Sequence, residues 1–399
     1  MTDLATTAAL AGPRRRALPG QPLVFALAAL LIGLGALAAA QTAGWRMAAL
    51  WLVGAGLGLS LAHATFGFTA GFRALFETGR SAQVRAQLLM LAVAIILFFP
   101  ALAAGTVLGQ PVRGFVFPLG LEVAIGAFLF GIGMQLGGGC GSGTLATAAG
   151  GGTRMLVTLA FFIIGATAAA YGHESWSGLP AIPGVSVIDS LGLAPALVVS
   201  LSPLALVAVL AARRERARHG AVEPILVRPG QAFLTGPWPY AWAALALALL
   251  NFATLLLAGR PWGITQAFAL WGSWGVERLG LDDPAFWPFW EEPTRAAWLH
   301  RGLFADTTSV MNLGLVVGAL AAAGLAGRFA PVWRIGPGPL AASVIGGLLL
   351  GFGAIMATGC NVSAFFSGIA SGSLHGWLWI AAALPGNWLG ARLRPLFRL

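Results

Sequence analysis

The chain has 399 residues, of which 58% are hydrophobic and only 9% carry a charged side chain. Soluble domains carry about 25% charged residues, so this composition excludes an ordinary soluble enzyme and indicates a polytopic membrane protein. The net charge is +10, and all 23 basic residues are arginines. Because these arginines fall mostly in short loops and tails, they predict membrane topology and give no support to a nucleic-acid partner.

Apolar runs long enough to cross a lipid bilayer, which takes roughly 20 residues, recur along the chain. The first run, Leu23 to Ala40, follows Arg14 to Arg16. It is longer than the apolar core of a signal peptide, so we predict a retained first helix. Further spans are predicted at Met90 to Leu108, Leu193 to Ala212 and Ala241 to Ala258.

A polar interruption follows an apolar helix that we predict to end near His63. The stretch reads F-G-F-T-A-G-F-R-A-L-F-E, and it places Arg73 and Glu77 four residues apart, where they can pair on one helix face. The stretch is interpreted either as an amphipathic connector at the membrane surface or as part of a pore mouth. In the second case Gly67, Thr69 and Arg73 are the candidate contacts.

The placement of arginines orients the predicted helices, since cytoplasmic loops are enriched in positive charge. Two segments without such clusters, Gly172 to Asp189 and Glu277 to Asp306, contain acidic side chains and are predicted to be external. Both termini are predicted to be cytoplasmic. The arginines assigned to the cytoplasm are Arg14 to Arg16, Arg213 to Arg218, Arg328, Arg334 and Arg392 to Arg398.

These signals divide the chain into four parts. They are a cytoplasmic N-terminal tail (residues 1–22), a first membrane half (23–212), a basic cytoplasmic linker (213–237) and a second membrane half (238–399). The linker contains Pro224, Pro229 and Gly230, and it is interpreted either as an ordinary loop or as a hinge between the two halves.

The two halves match each other when the chain is displaced so that Cys140 faces Cys360. Gly139 then faces Gly359, and several other glycines and leucines coincide without a gap. An apolar chain produces chance glycine matches easily, but it does not easily align its only two cysteines. We therefore predict two repeat-related halves, an arrangement in which transporters place the substrate site at the repeat interface near the midplane.

Each cysteine lies in a glycine-rich or small-residue interruption of an apolar segment, G-G-G-C-G-S-G-T around Cys140 and A-T-G-C-N-V-S-A around Cys360. A glycine costs about 1 kcal/mol in a helix interior relative to alanine, so the helix is expected to stop there. The predicted fold is an all-α integral membrane protein whose polytopic helices form two repeat-related halves with re-entrant or broken helices.

Broken helices offer anion sites because their N-termini present free N–H groups and a positive dipole end. Ser142, Thr144, Asn361 and Ser363 add neutral donors, and a thiol adds a polarizable S–H group, which suits a soft sulfur-bearing anion. The alternative interpretation is simple helix packing by glycines and inert cysteines. His375 is either a titrating group near a thiol or a packing residue. No metal-binding cluster and no dinucleotide-binding loop is recognisable, so neither a metal nor a cofactor is predicted.

The segments Gly138 to Thr144, Gly359 to Gly368 and Ser371 to Trp377 resemble the YeeE/YedE family of sulfur transporters, which includes thiosulfate uptake proteins. The resemblance covers both halves and implies a bacterial inner-membrane protein with short re-entrant helices. It also implies that thiosulfate or a related anion passes Cys140 and Cys360 through weak S–H contacts. The candidate site residues are Cys140, Cys360, Gly139, Gly141, Ser142, Thr144, Gly359, Asn361, Ser363, Ser367 and His375.

One position departs from the family pattern. The family often has a third cysteine in a motif like F-C-F-T-A-A-F-R, and Gly67 stands at that place here. One relay step is then absent or is served by Thr69. The substrate stays open between thiosulfate, other sulfur compounds and selenium compounds.

Three functions follow from these residues. The first is transport of sulfur anions, a function for which no catalytic residue is assigned. The second is a membrane thiol oxidoreductase, which requires Cα atoms about 4.4–6.8 Å apart for disulfide formation. The third is a membrane partner that recruits a soluble sulfur carrier through the basic segment Arg213 to Arg228.

Overall fold

The computed structural model describes residues 20–399. Residues 1–19 of the predicted N-terminal tail, with Arg14 to Arg16, therefore lie outside the described residues. The helices in chain order are α1 (Pro22–Ala43), α2 (Trp45–Ala64), α3 (Phe68–Glu77), α4 (Ala82–Ala104), α5 (Leu121–Gly137), α6 (Gly141–Ala149), α7 (Thr153–Tyr171), α8 (Val187–Leu191), α9 (Leu193–His219), α10 (Tyr240–Ala258), α11 (Gln266–Arg278), α12 (Pro288–Glu291), α13 (Pro293–Leu299), α14 (Thr307–Leu325), α15 (Pro337–Met356), α16 (Ser367–Ala370) and α17 (Leu374–Leu393).

A π-helical segment, Asn361–Phe366, precedes α16 directly, and short 3₁₀ turns lie at His173–Ser175, Pro284–Phe286 and Arg394–Phe397. Extended structure in the described part of the chain is limited to two antiparallel pairs of two-residue strands. These are β1 (Thr106–Val107) with β2 (Gln110–Pro111), and β3 (Leu119–Gly120) with β4 (Ala181–Ile182).

Nine segments among residues 20–399 are long and apolar enough to cross a membrane. Three of them, Trp45–Glu77, Leu121–Ala149 and Pro337–Ala370, each join a long helix to a short one. The prediction of an all-α polytopic membrane protein is therefore confirmed.

Two predicted spans had incorrect ends. The span placed at Met90 to Leu108 belongs to α4, which begins at Ala82 and ends where Gly105 adopts a left-handed conformation with φ 67°. The span placed at Leu193 to Ala212 belongs to α9, which continues to His219. The first seven residues of the predicted linker are thus helical, because Glu215 finds buried partners.

Glu215 anchors this helical extension to the start of α4. Its side chain is fully buried and accepts hydrogen bonds from the Ser81 backbone N–H (3.1 Å) and the Ser81 hydroxyl. It also forms salt bridges with Arg80 (3.4 Å) and Arg85 (3.5 Å). Further along, Arg228 donates to the Ala64 carbonyl at 2.7 Å. The linker therefore packs onto the ends of α2 and α4.

The long helices of the two predicted halves pack in exchanged pairs. Helix α2 packs against α14 and α10 packs against α4, while α5 packs against α17 and α15 packs against α7. Helices α5 and α15 also contact each other. Two halves related by a two-fold axis would produce this pattern. The origin of the two halves in a sequence repeat stays a prediction.

The crossing of α5 and α15 depends on glycine. A Cβ atom built on Gly346 would lie 2.2 Å from the Gly137 backbone nitrogen, and one on Gly126 would lie 2.7 Å from the Ala357 nitrogen. Any side chain at either position would push the two helices apart. The close crossing brings the C-terminal end of each helix beside its partner and so positions the two cysteine segments.

Candidate anion pathway

Cys140 and Cys360 occupy the same local position in the fold. Each is the residue directly before a short helix, Cys140 before α6 and Cys360 before the π-helical segment. Their backbone angles are similar, with φ −88° and ψ −170° for Cys140, and φ −105° and ψ −168° for Cys360. Both side chains are buried and both thiols are free.

Glycine is needed before each thiol because the chain turns back onto the next helix. A Cβ atom at Gly139 would lie 2.9 Å from the Thr144 hydroxyl, and one at Gly359 would lie 2.5 Å from the Ser363 hydroxyl. Gly359 also has φ +146°, which side chains disfavour. Thr358 has φ 59°, a strained conformation for a β-branched residue. Such strain is concentrated at functional sites in proteins.

A hydroxyl group lies beside each thiol. The Ser142 hydroxyl is 3.6 Å from the Cys140 sulfur. The Ser363 hydroxyl accepts a hydrogen bond from the Cys360 backbone N–H at 3.0 Å and donates to the Cys360 sulfur at 3.5 Å. These contacts place Ser142 and Ser363, two residues singled out from the sequence, directly at the thiols.

Two cavities approach the cysteines. The first, which we call the Arg328 cavity, has a volume of about 320 Å³, and Arg328, Gly67, Thr69, Gly139 and Cys140 contribute to its wall. The second, which we call the Arg260 cavity, has a volume of about 850 Å³. Its wall includes Arg260, Thr265, Gln266, Thr358 and Gly359.

The two cavities lie toward opposite ends of the helices. Glu122, in the first turn of α5, lines the Arg260 cavity, whereas Gly138, which ends α5, lines the Arg328 cavity. A helix of this length spans about 25 Å. Helix α14 also runs between the cavities, since Thr308 near its start contacts Arg260 and Ala322 near its end lines the Arg328 cavity.

Cys140 lines the Arg328 cavity and Thr265 lines the Arg260 cavity, and the residues between them are Gly141, Cys360 and Ser363. We call these five residues the neck. A Cβ atom built on Gly141 would lie 3.5 Å from the Cys360 sulfur and 3.5 Å from the Thr265 methyl group. The Thr265 and Ser363 hydroxyl oxygens are 3.4 Å apart. The first residue of α6 therefore approaches the thiol of the other half.

Four short helical segments begin at or beside this neck. They are α6, α11, the π-helical segment and α3, whose first residue Phe68 packs edge-on against Phe365 with 6.1 Å between ring centroids. No side chain caps the N-terminus of α3, α6 or α11. The positive dipole ends of these helical segments therefore lie around the neck, where they attract an anion without the help of a charged side chain.

Several polar side chains near the pathway are buried without a partner. Among the described residues, no hydrogen bond reaches the hydroxyls of Thr69, Thr144 and Ser367 or either polar atom of the Asn361 amide. Leaving a buried polar group unsatisfied costs about 1–3 kcal/mol. These groups are expected to be satisfied by water or by a passing ligand.

Two predicted residues lie away from the neck. His375 is fully buried, with Nδ1 2.6 Å from the Ser373 hydroxyl and its ring edge-on to Phe117, a residue of the Arg260 cavity wall. His375 therefore supports that wall from behind. Arg73 is not among the residues lining the Arg328 cavity, and within the described part of the chain it forms no salt bridge with Glu77.

The sequence reasoning did not single out Arg260 and Arg328, two of the arginines that line the cavities. Arg328 was assigned to topology alone, and Arg260 was not considered. The available signal for Arg260 is a single arginine between a span ending at Ala258 and the following apolar segment. Because a single arginine in a short loop is also an ordinary topology signal, this position alone does not indicate a binding site.

A bundle of membrane-spanning helices with two opposed cavities and a buried group of residues between them is the arrangement that helical membrane transporters use. The chain belongs to the sulphur transport family, whose model matches residues 63–389. The resemblance to sulfur transporters predicted from the cysteine segments is therefore confirmed.

Individual relatives match to different extents. The thiosulfate transporter TsuA of Spirochaeta thermophila is 28% identical over 368 residues, which cover 87% of this chain and 98% of the relative. The thiosulfate transporter TsuA of Escherichia coli is 23% identical over 358 residues, covering 86% and 93%. The probable transporter YedE of Salmonella typhimurium is 33% identical over 174 residues, so the match spans 42% of this chain and 41% of that relative.

Proposed function

We propose that this protein carries thiosulfate, or a closely related sulfur-containing anion, across the membrane through the neck between Cys140 and Cys360. The observation that supports the proposal most directly is the convergence of four helix starts on two buried thiols, between two opposed cavities. The names of the TsuA relatives agree with this substrate.

The chemistry of the neck suits a soft anion. Helix N-termini and hydroxyl groups supply partial positive charge, which attracts an anion without the tight binding of a full charge. The thiols of Cys140 and Cys360 are weak donors with a small desolvation cost. The terminal sulfur of thiosulfate can accept an S–H contact from one thiol and then from the other. A strongly hydrated anion such as sulfate loses more hydration free energy on entering the neck.

The distribution of charge supports an orientation of the protein in the membrane. The arginine-rich linker packs beside the Arg328 cavity, with Arg328 donating to the Thr235 carbonyl at 3.2 Å. By the positive-inside rule we propose that this side faces the cytoplasm and that both termini lie on it. We therefore propose import across a bacterial inner membrane, from the Arg260 cavity to the Arg328 cavity. A soluble sulfur carrier docking on the exposed Arg213 and Arg214 is the proposed cytoplasmic partner.

Uptake of labelled thiosulfate into proteoliposomes tests the proposal. Cys140→Ala and Cys360→Ala are each expected to lower the initial rate at least tenfold, an added barrier of about 1.4 kcal/mol. Size-exclusion profiles establish that the variants are folded. Wild-type rates in both variants would eliminate the thiol relay, and an inactive wild-type protein would eliminate thiosulfate as the substrate. Uptake of a selenium analogue of thiosulfate into the same proteoliposomes tests the alternative substrate.

A further inference from the structure

We infer that Arg260 forms a separate recognition site for a small dianionic oxyanion, located in the Arg260 cavity before the thiol neck. This inference deepens the proposed function, on which it rests for the direction of transport. It assigns recognition of charge to the arginine and recognition of the soft sulfur atom to the thiols.

Neutral groups hold Arg260 in place. One terminal guanidinium nitrogen donates to the Gln266 side-chain oxygen at 3.2 Å, and the other donates to the Thr308 hydroxyl at 3.3 Å. The guanidinium carbon lies 5.4 Å from the centre of the Trp298 ring, a cation–π contact. A guanidinium has five N–H donors, so three remain for a ligand.

The charge of Arg260 is not paired. Within the described part of the chain Arg260 forms no salt bridge. The neighbouring carboxylate of Asp306 accepts a hydrogen bond from the Ser309 backbone N–H at 2.7 Å and caps α14. Burial lowers the pKa of Arg260, and Asp306 opposes that shift. A half-buried cation without a direct counter-charge gains more from a bound anion than a fully solvated one.

Arg295, in the same cavity, shows the opposite arrangement. Its guanidinium nitrogen lies 3.5 Å from a carboxylate oxygen of Glu292, and its face lies 4.4 Å from the centre of the Phe289 ring. The charge of Arg295 is therefore largely neutralised within the protein. The cavity wall thus contains three arginines, of which Arg295 is paired with Glu292, whereas Arg260 and Arg113 form no salt bridge among the described residues.

Arg260 lies close to the neck. Gln266, its hydrogen-bond partner, is the first residue of α11, and the preceding Thr265 is part of the neck. Arg113 is brought close, because its backbone N–H donates to the Gly259 carbonyl at 2.8 Å. An anion bound at Arg260 therefore lies at the uncapped N-terminus of α11, next to the route toward Cys360.

The donor geometry defines the class of ligand. A planar guanidinium pairs with two oxygens of one oxyanion, a geometry that a halide cannot match. Thiosulfate and sulfate both present such oxygens and carry two negative charges. We therefore expect sulfate to occupy the Arg260 site and to compete for it, while the thiol neck discriminates against sulfate in the later step.

Concentration-dependent thiosulfate uptake tests the site with Arg260→Gln, Arg260→Lys and Arg295→Gln as a matched control. Loss of a charged hydrogen-bond partner raises KM by roughly 10- to 100-fold in Arg260→Gln, with little change in the maximal rate. The KM of Arg260→Lys should be intermediate, because lysine keeps the positive charge but lacks the paired N–H donors of a planar guanidinium. Arg295→Gln should change KM less than about threefold. Sulfate should inhibit wild-type uptake more strongly than uptake by Arg260→Gln.

An unchanged KM in Arg260→Gln, or an equal increase in Arg295→Gln, would overturn the inference while leaving transport itself intact. Direct binding separates this outcome from failure of the proposed function. Labelled sulfate and labelled thiosulfate are equilibrated with the detergent-purified Cys140→Ala, Cys360→Ala double variant, which cannot relay. Binding that disappears when Arg260→Gln is added supports the site, and binding that persists overturns it, whether or not the wild-type protein transports thiosulfate.

Discussion

Gly141→Ala tests the proposed path of the anion through the neck. The new methyl group would lie 3.5 Å from the Cys360 sulfur, the Ile264 side chain and the Thr265 methyl group, distances of ordinary van der Waals contact. The residue is the first of α6 and its backbone needs no left-handed conformation. Replacing glycine by alanine at such a site adds about 0.4–1 kcal/mol to the free energy of unfolding. The variant should therefore fold at least as well as the wild type.

The rate of transport should fall although stability does not, because the methyl group occupies the space between the two halves of the neck. An added barrier of only about 1.4 kcal/mol lowers the uptake rate tenfold. Initial uptake of labelled thiosulfate and the thermal unfolding midpoint are measured on the same preparation. Gly33→Ala is the matched control, since Gly33 lies in α1 and a Cβ atom there meets no other atom within 4 Å. A Gly141→Ala protein that is stable and transports at the wild-type rate would refute the assignment of the neck.

Two further predictions concern the regions on either side of the neck. Gly67→Cys should fold normally, because Gly67 has φ −147° and a Cβ atom there would come no closer than 4.0 Å to Ala70. The added thiol in the Arg328 cavity should raise the initial rate of thiosulfate uptake above that of Gly67→Ser. Glu215→Gln should lower the thermal unfolding midpoint with transport retained per folded molecule, since breaking a buried ion pair costs about 3–5 kcal/mol and Glu215 pairs with Arg85.

The features predicted correctly from the sequence are those governed by local physical chemistry. Composition requires a membrane-spanning helical fold, and the glycines before Cys140 and Cys360 place both thiols at helix starts. The end of α4 was misplaced because apolar residues continue past Gly105 into the β1–β2 hairpin. The helical extension of α9 was missed because it depends on Glu215 meeting Ser81, which is distant in sequence.

Arg260 illustrates why part of the site lies beyond sequence reasoning. Its guanidinium is positioned by Thr308 and Trp298, which come from two other segments of the chain. The local sequence offers Arg295 a carboxylate partner, Glu292, three residues earlier, but it does not show whether Arg260 finds a partner elsewhere in the chain. The difference between an available and a paired cation appears only when the segments are packed together.

The separation of full charges from the neck has a physical consequence for selectivity. In the proposed pathway Arg260 and Arg328 line the cavities on either side of the neck, so a full positive charge attracts the anion before and after the passage but not within it. The narrow neck contains only dipoles, hydroxyls and thiols, so a passing anion meets weak contacts where it is least hydrated. A guanidinium inside the neck would hold a dianion too tightly for rapid release, and a purely apolar neck would exclude it. Partial charges around polarizable sulfur satisfy both requirements, and the separate positions of the buried thiols and the arginines agree with the proposed pathway.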